Sequence, residues 1–194
     1  MIRFRIILTG LLMLAAAAPS ITLGQGRPDP AVMIAAQLEA MKHFAMMDGE
    51  WRGTAWSLSP TGEKTHLIQT ERVGPFLDGS VKVIEGRGYE GDGSVAFNAL
   101  GIISFDPNTK KYSMHSYARG FSGDFVITPT ADGFYWEIPA GPRTIRYTAV
   151  LSDSTWNEVG DMIMEGTEPV RILEMTLTRL GDTSWPAGGA VSPE

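Results

Sequence analysis

Apolar and polar residues alternate in short segments along most of this chain, from residue 50 to residue 180. Such alternation is typical of β-strands, and Gly, Pro, Asn and Asp between the segments are typical of tight turns. Asp78-Gly79, Asp92-Gly93 and Asp132-Gly133 are turn signals of this kind. The pattern predicts ten strands, over residues 50–59, 63–73, 79–89, 94–106, 110–119, 123–129, 133–139, 143–151, 155–165 and 170–180.

The connections between these strands are short and contain no helical crossover. Sequential hairpins of this kind favour an up-and-down antiparallel barrel, and a closed barrel leaves no strand edge exposed. We therefore predict a mainly β protein with a single β-barrel domain over residues 48–180, followed by a flexible tail over residues 181–194 that is rich in Gly, Pro and Ser.

One amphipathic helix is predicted before the strands, over residues 31–47. Asp29 is suited to cap its N-terminus, Pro30 to occupy its first position, and Gly49 follows its end. A single helix directly before a barrel is expected to cover one of its ends. The apolar stripe that would face the barrel consists of Ile34, Leu38, Met41 and Ala45.

The N-terminus is typical of a signal peptide over residues 1–24. Arg3 and Arg5 precede an apolar run over residues 6–18, which is shorter than the ~20 residues needed to span a bilayer. Cleavage is expected after Gly24, with Ser20 as the rival position and an uncleaved anchor as the alternative. We predict a periplasmic or secreted protein with a flexible leader over residues 25–30 and no stable membrane anchor after cleavage.

Charge and cysteine content narrow the classes of function. The net charge is −6, and no stripe of Lys and Arg is present, so nucleic acid is an unfavourable partner. The chain contains no Cys, which excludes a disulfide framework and a cysteine nucleophile. A domain of this length can bury a sufficient core without disulfides.

Two residues in the first and last predicted strands resemble the closure of calycin barrels. Gly49-Glu50-Trp51 opens the first strand and Arg179 ends the last one. In that superfamily the indole seals the barrel floor and the arginine stacks across it, which would give a cation–π contact. The chain also resembles an uncharacterised family of lipocalin-like bacterial secreted proteins, on the motifs Gly49-Glu-Trp-Arg-Gly53, Gly74-Pro-Phe-Leu-Asp-Gly79, Leu100-Gly-Ile-Ile-Ser-Phe-Asp106, Lys111-Tyr112, Trp156-Asn-Glu158 and Glu174-Met-Thr-Leu-Thr-Arg179.

The resemblance implies a fold and no agreed reaction. The family's relatives include nitrobindin-like barrels, which hold haem through a His near the C-terminus. The last two predicted strands contain no His, so haem binding by that route is not expected.

Two acidic residues are candidates for a ligand-binding interior. Glu85 shares a strand face with Val83, and Glu158 shares one with Trp156. Burial of either carboxyl would raise its pKa and create a general acid or a ligand anchor. Arg146 is a candidate partner and Trp136 a candidate wall residue, although outward faces with solvated charges fit the alternation equally well.

The strand over residues 110–119 is the most polar one. His115, Tyr117 and Arg119 lie on one of its faces and would form an anion-binding wall if that face pointed inward. The alternative is the solvent-exposed side of the barrel, which typically carries such residues.

Further motifs do not predict catalysis, a metal or a cofactor. The three histidines, His43, His66 and His115, lie on separate elements without metal-ligand spacing. Residues 86–91 spell Gly-x-Gly-x-x-Gly but precede a turn and a strand, so a glycine-rich bend or bulge is expected there rather than a dinucleotide site.

The leading hypothesis is therefore a non-catalytic barrel that binds a small hydrophobic or amphipathic ligand. One alternative is a metal-free isomerase or hydrolase that uses an interior carboxylate with His115 or Arg146. The other is a solidly packed interaction domain of the cell envelope. The sequence leaves the ligand and the oligomeric state open.

Overall fold

The computed structural model describes residues 28–59 and 61–187. The predicted signal peptide, the first half of the leader and the end of the tail lie outside these residues. A helix, α1, spans Pro30–Met41 and continues as a 3-10 helix over Lys42–Met47. Asp29 caps α1 as predicted: its Oδ1 accepts a hydrogen bond from the Ala31 backbone N–H at 2.9 Å.

Ten antiparallel strands follow in chain order and close into one barrel, as predicted. Each strand pairs with its neighbours in sequence, and the first pairs with the last. A short 3-10 helix, Leu77–Gly79, lies between the second and third strands. The strands are β1 Gly49–Leu58, β2 Lys64–Phe76, β3 Val81–Tyr89, β4 Val95–Asp106, β5 Lys111–Ala118, β6 Phe121–Pro129, β7 Gly133–Ala140, β8 Arg143–Leu151, β9 Thr155–Met164 and β10 Val170–Gly181.

Closure brings Trp51 and Arg179 opposite each other in the β1–β10 register. Trp51 is buried, and its ring N–H donates to the Met47 carbonyl oxygen at 2.9 Å. The predicted cation–π contact is not among the cation–π pairs of the described residues, so that prediction was wrong. Arg179 donates from Nε and Nη2 to the Asp48 carbonyl oxygen, at 3.3 and 3.1 Å. A Cβ at Gly49 would lie 2.9 Å from Arg179 Nη2, so the glycine makes room for the guanidinium. The arginine thus joins the last strand to the segment that enters the first.

The segment before β1 closes this end of the barrel. Met41, Phe44 and Met47 are fully buried, and the Phe44 ring packs edge-on against Tyr112 with centroids 5.3 Å apart. The prediction was correct for Met41 but wrong for Ile34, which is 50% exposed, and for Ala45, which is also exposed. The predicted apolar stripe assumes one continuous α-helix. In the structure α1 ends at Met41, and the 3-10 helix that follows directs later residues into the barrel end.

The described part of the predicted tail lies along the outside of β2. The Arg72 guanidinium stacks over the Trp185 ring at 4.5 Å. A Cβ at Gly74 would lie 1.9 Å from the Trp185 carbonyl oxygen, so the tail contacts the strand backbone closely.

Candidate functional site

A cavity of about 630 Å³ occupies the barrel interior between the closed end and the opposite mouth. Its volume is in the range of small-molecule sites, roughly 300–1,000 Å³. Strand alternation selects the residues that line it: on β3, for example, Ile84 and Gly86 line the cavity while Glu85 between them does not. The interior is therefore a built pocket rather than a fully packed core.

Aromatic side chains form much of the wall. Trp136 stacks on Tyr147 with ring centroids 4.5 Å apart, and Phe125 packs against the other side of the cluster, 5.1 Å from Trp136. Gly160 leaves space for this cluster, since a Cβ there would approach the Tyr147 ring to 3.0 Å. Such a wall offers flat apolar surface to a ligand.

The deep part of the cavity is polar. Glu71 on β2 and Glu158 on β9 both line it, each two residues from a buried residue of the closed end, Val73 and Trp156 respectively. The Gln69 amide donates from Nε2 to Glu71 Oε1 at 2.8 Å, and the Trp156 ring N–H donates to Glu158 Oε2 at 3.2 Å. We call Gln69, Glu71 and Glu158 the acidic floor.

Burial determines the protonation of the acidic floor. It raises the pKa of Glu71 to about 8, against the effect of the Gln69 hydrogen bond and with the help of the Glu158 and Glu85 charges. It raises the pKa of Glu158 to about 7, while hydrogen bonds from Trp156 and Trp136 act to lower it. At neutral pH the floor therefore carries protons that carboxyl groups in water would have lost.

Four of the residues singled out from the sequence lie in the cavity. Trp136, Trp156 and Glu158 line its wall and floor, and Arg119 lies at the mouth with its guanidinium 5.6 Å from the Phe97 ring centroid. Their part in ligand binding stays a prediction. Arg119 is the only Lys or Arg among the lining residues in the described part of the chain.

The other four lie on the outer face of the barrel. His115 Nδ1 is 2.6 Å from Asp124 Oδ1, and its ring packs against Tyr117. Arg146 donates from Nε to Glu137 Oε1 at 2.7 Å. Glu85 Oε1 accepts from Arg87 at 2.8 Å and Oε2 from Arg72. None of these groups reaches Glu158, so the structure does not assemble the His/Arg-assisted site that one hypothesis required.

Sequence reasoning missed Glu71 and Gln69. On β2 they share a face with Leu67 and Val73, while Ile68, Thr70 and Arg72 form the other face. Both faces mix apolar and polar residues, so alternation does not identify the inner one. The available signal was the glycine opposite Glu71, Gly86, because a glycine in a strand often marks space for a neighbouring group.

Residues 86–91 form no phosphate-binding loop. Gly86 and Gly88 lie within β3, and the β3–β4 register shifts between Gly88 and Tyr89, which confirms the predicted bulge. Within residues 28–59 and 61–187, no group of three or more His, Cys, Asp or Glu side chains is placed to hold a metal ion. No helix in the same part of the chain is long and apolar enough to cross a membrane.

Comparison with known proteins supports the fold. No family model and no curated protein matches the sequence. Among solved structures, the chain is similar to Rv2717c from M. tuberculosis, with a TM-score of 0.55 and 12% identity over 72% of this chain and 96% of that one. It also matches the S-type phycobiliprotein lyase CPES from Guillardia theta, with a TM-score of 0.49 and 10% identity over 78% and 98% of the two chains. The likeness to Rv2717c concerns the fold of the barrel alone.

Proposed function

We propose that this protein is an exported, non-catalytic barrel that binds one small hydrophobic or amphipathic molecule. The observation that carries the proposal is the cavity of about 630 Å³ with its aromatic wall and acidic floor. The calycin-like fold is compatible with such a role. Export is proposed from residues 1–24, and membership of the lipocalin-like family of secreted proteins is proposed from the motifs between Gly49 and Arg179.

The cavity favours a ligand with one polar end. Most of its lining is aromatic and aliphatic, the two interior carboxyl groups and the Gln69 amide lie at the floor, and the polar lining toward the mouth consists of Arg119 and serines. Burying an apolar ligand body there gains roughly 25 cal/mol per Å² removed from water. A polar end must reach the floor to keep its hydrogen bonds, because an unpaired polar group in this site would be costly.

Blocking the cavity tests the proposal. Ala99 lines the cavity on β4, whereas the next residue toward the mouth, Asn98, is exposed on the outer face. Ala99→Phe should abolish the binding of decanol, measured by isothermal titration calorimetry, while the matched variant Asn98→Phe should bind like the wild type. Equal binding by all three proteins would place the ligand outside the barrel and contradict the proposal.

An enzymatic role is the second candidate, and one observation favours it. The pKa of Glu158 near 7 suits a general acid at neutral pH. His115 and Arg146 lie outside the cavity, so Glu71 is the group that would act with it. A turnover abolished by Glu158→Gln without loss of ligand binding would support this role over simple binding.

A further inference from the structure

We infer, on the basis of the proposed binding function, that the ligand is an apolar amine whose N–H-bearing cationic head lies against Glu71 and Glu158. The geometric reason is that both carboxyl groups face one cavity and neither has a basic partner in the described part of the chain. Glu85 on the outer face, by comparison, is bonded to both Arg72 and Arg87.

Among the described residues, the carboxyl groups of the acidic floor have no basic side chain as a partner. Within residues 28–59 and 61–187, no Lys, Arg or His forms an ion pair with Glu71 or Glu158, and the protein donors at the floor, besides any proton on the carboxyl groups themselves, are the Gln69 amide and the ring N–H groups of Trp156 and Trp136. Two carboxyl groups and the Gln69 carbonyl oxygen supply more acceptors than these donors occupy. A ligand that brings both N–H donors and positive charge completes the set.

The aromatic wall favours the same ligand. Trp136 and Tyr147 present stacked rings beside the floor, and a cation near such ring faces gains electrostatic attraction as it leaves water. At the other end of the cavity, the positive charge of Arg119 disfavours a cationic head at the mouth. The two ends together orient the molecule with its amine inward and its apolar body outward.

Binding of this ligand is linked to proton release. Burial holds the carboxyl groups of Glu71 and Glu158 partly protonated near neutral pH. Inside the barrel, Glu71 and Glu158 lie near each other, Tyr147 on β8 lies beside Glu158, and Arg119 lies toward the mouth. From the outer face of β3, the charge of Glu85 also acts on Glu71. A cation at the floor lowers the pKa of both carboxyls, so its affinity rises with pH, by about tenfold per pH unit for each proton released.

Three probes with the same alkyl chain test the inference: decylamine, decanol and decanoate, titrated into the full-length mature protein by calorimetry. Decylamine should bind at least about tenfold more tightly than decanol at neutral pH, and decanoate should bind most weakly. In two buffers of different ionisation enthalpy, decylamine binding should release protons and decanol binding should not. This last measurement needs no variant.

Glu71→Gln and Glu158→Gln should each remove most of the preference for decylamine and leave decanol affinity within about twofold. Glu85→Gln, which changes a glutamate on the outer face of the barrel, is the matched control and should keep the preference for decylamine. Melting curves establish whether each variant is folded. If a variant does not fold, the proton release measured with the wild-type protein still tests the inference.

The outcomes separate the two proposals. Decanol or decanoate binding as tightly as decylamine, or decylamine binding without proton release, would overturn the amine assignment and leave the binding function standing. Failure of all three probes to bind would contradict the proposed binding function itself.

Discussion

Glu71 lies directly across the β2–β3 pairing from Gly86, and a Cβ at residue 86 would lie 2.8 Å from each of its two carboxyl oxygens. The glycine thus provides the space in which an interior carboxyl group can sit. This relationship ties a backbone position in one strand to the chemistry of the next.

Gly86→Ala should displace the Glu71 carboxyl rather than unfold the barrel, because the contact is with the end of a long side chain. Gly53→Ala is the comparison: its Cβ would meet the Thr176 backbone oxygen at 2.0 Å, and backbone cannot turn away. In chemical denaturation, the free energy of unfolding should fall by less than about 1 kcal/mol for Gly86→Ala and by about 1–3 kcal/mol or more for Gly53→Ala. Equal losses would mean that the Glu71 side chain is as firmly held as the backbone.

Trp51 and Arg179 should both be required for barrel stability. Trp51→Ala should lower the free energy of unfolding by about 3–5 kcal/mol through the cavity that it leaves. Arg179→Lys should also destabilise, since a single ammonium group does not reproduce the paired donation from Nε and Nη2 to the Asp48 carbonyl oxygen. A fully stable Arg179→Lys would show that charge alone, and not the forked hydrogen bond, joins β10 to the start of β1.

The stability of the closed barrel end, which the segment before β1 covers, should depend on Phe44 and not on Ile34. Phe44→Ala removes a fully buried ring that packs on Tyr112 and Phe134, and should cost about 3–5 kcal/mol. Ile34→Ala changes a half-exposed residue and should stay within roughly 0.5 kcal/mol. Melting temperatures of the two variants measure the contrast, and its reversal would place the helix differently on the barrel.

Stability should fall as pH rises from about 5 to about 8. Glu71 and Glu158 have folded-state pKa values raised from 4.5 to about 8 and about 7, so over this range the folded state binds more protons than the unfolded state. The free energy of unfolding then decreases with pH, by at most about 1.4 kcal/mol per pH unit for each group. Urea denaturation across this range measures the slope.

The double variant Glu71→Gln/Glu158→Gln should lose most of this pH dependence. Glu85→Gln should keep it, because Glu85 behaves in the opposite way: although burial acts to raise its pKa, bonds and charge from Arg87 and Arg72 lower it. A wild-type stability that is flat over this range would mean that neither interior carboxyl is held protonated.

The sequence predicted the architecture well because turn signals and alternation act locally. Asp78-Gly79 and Asp92-Gly93 fall between strands of the barrel, Asp132-Gly133 leads into β7, and the Asp29 cap opens the helix where expected. The Trp51–Arg179 pairing followed from closure, yet the partner of the guanidinium did not, since it depends on where the Asp48 carbonyl points.

The site was harder to predict than the fold, because alternation separates two strand faces without saying which one is inside. The inner face of β9, with Trp156 and Glu158, resembles the outer face of β3, with Val83 and Glu85, in its mixture of apolar and acidic residues. Only the closed barrel distinguishes them. It gives Glu85 two arginine partners and leaves Glu158 facing the cavity.

Native mass spectrometry of the protein purified from its own host asks directly whether the barrel holds a ligand. One small molecule bound per chain is expected in the wild type and in Asn98→Phe. None is expected in Ala99→Phe, whose new ring would occupy the cavity. A wild-type barrel that is empty, or an adduct that persists in Ala99→Phe, would contradict the claim that the cavity holds a ligand.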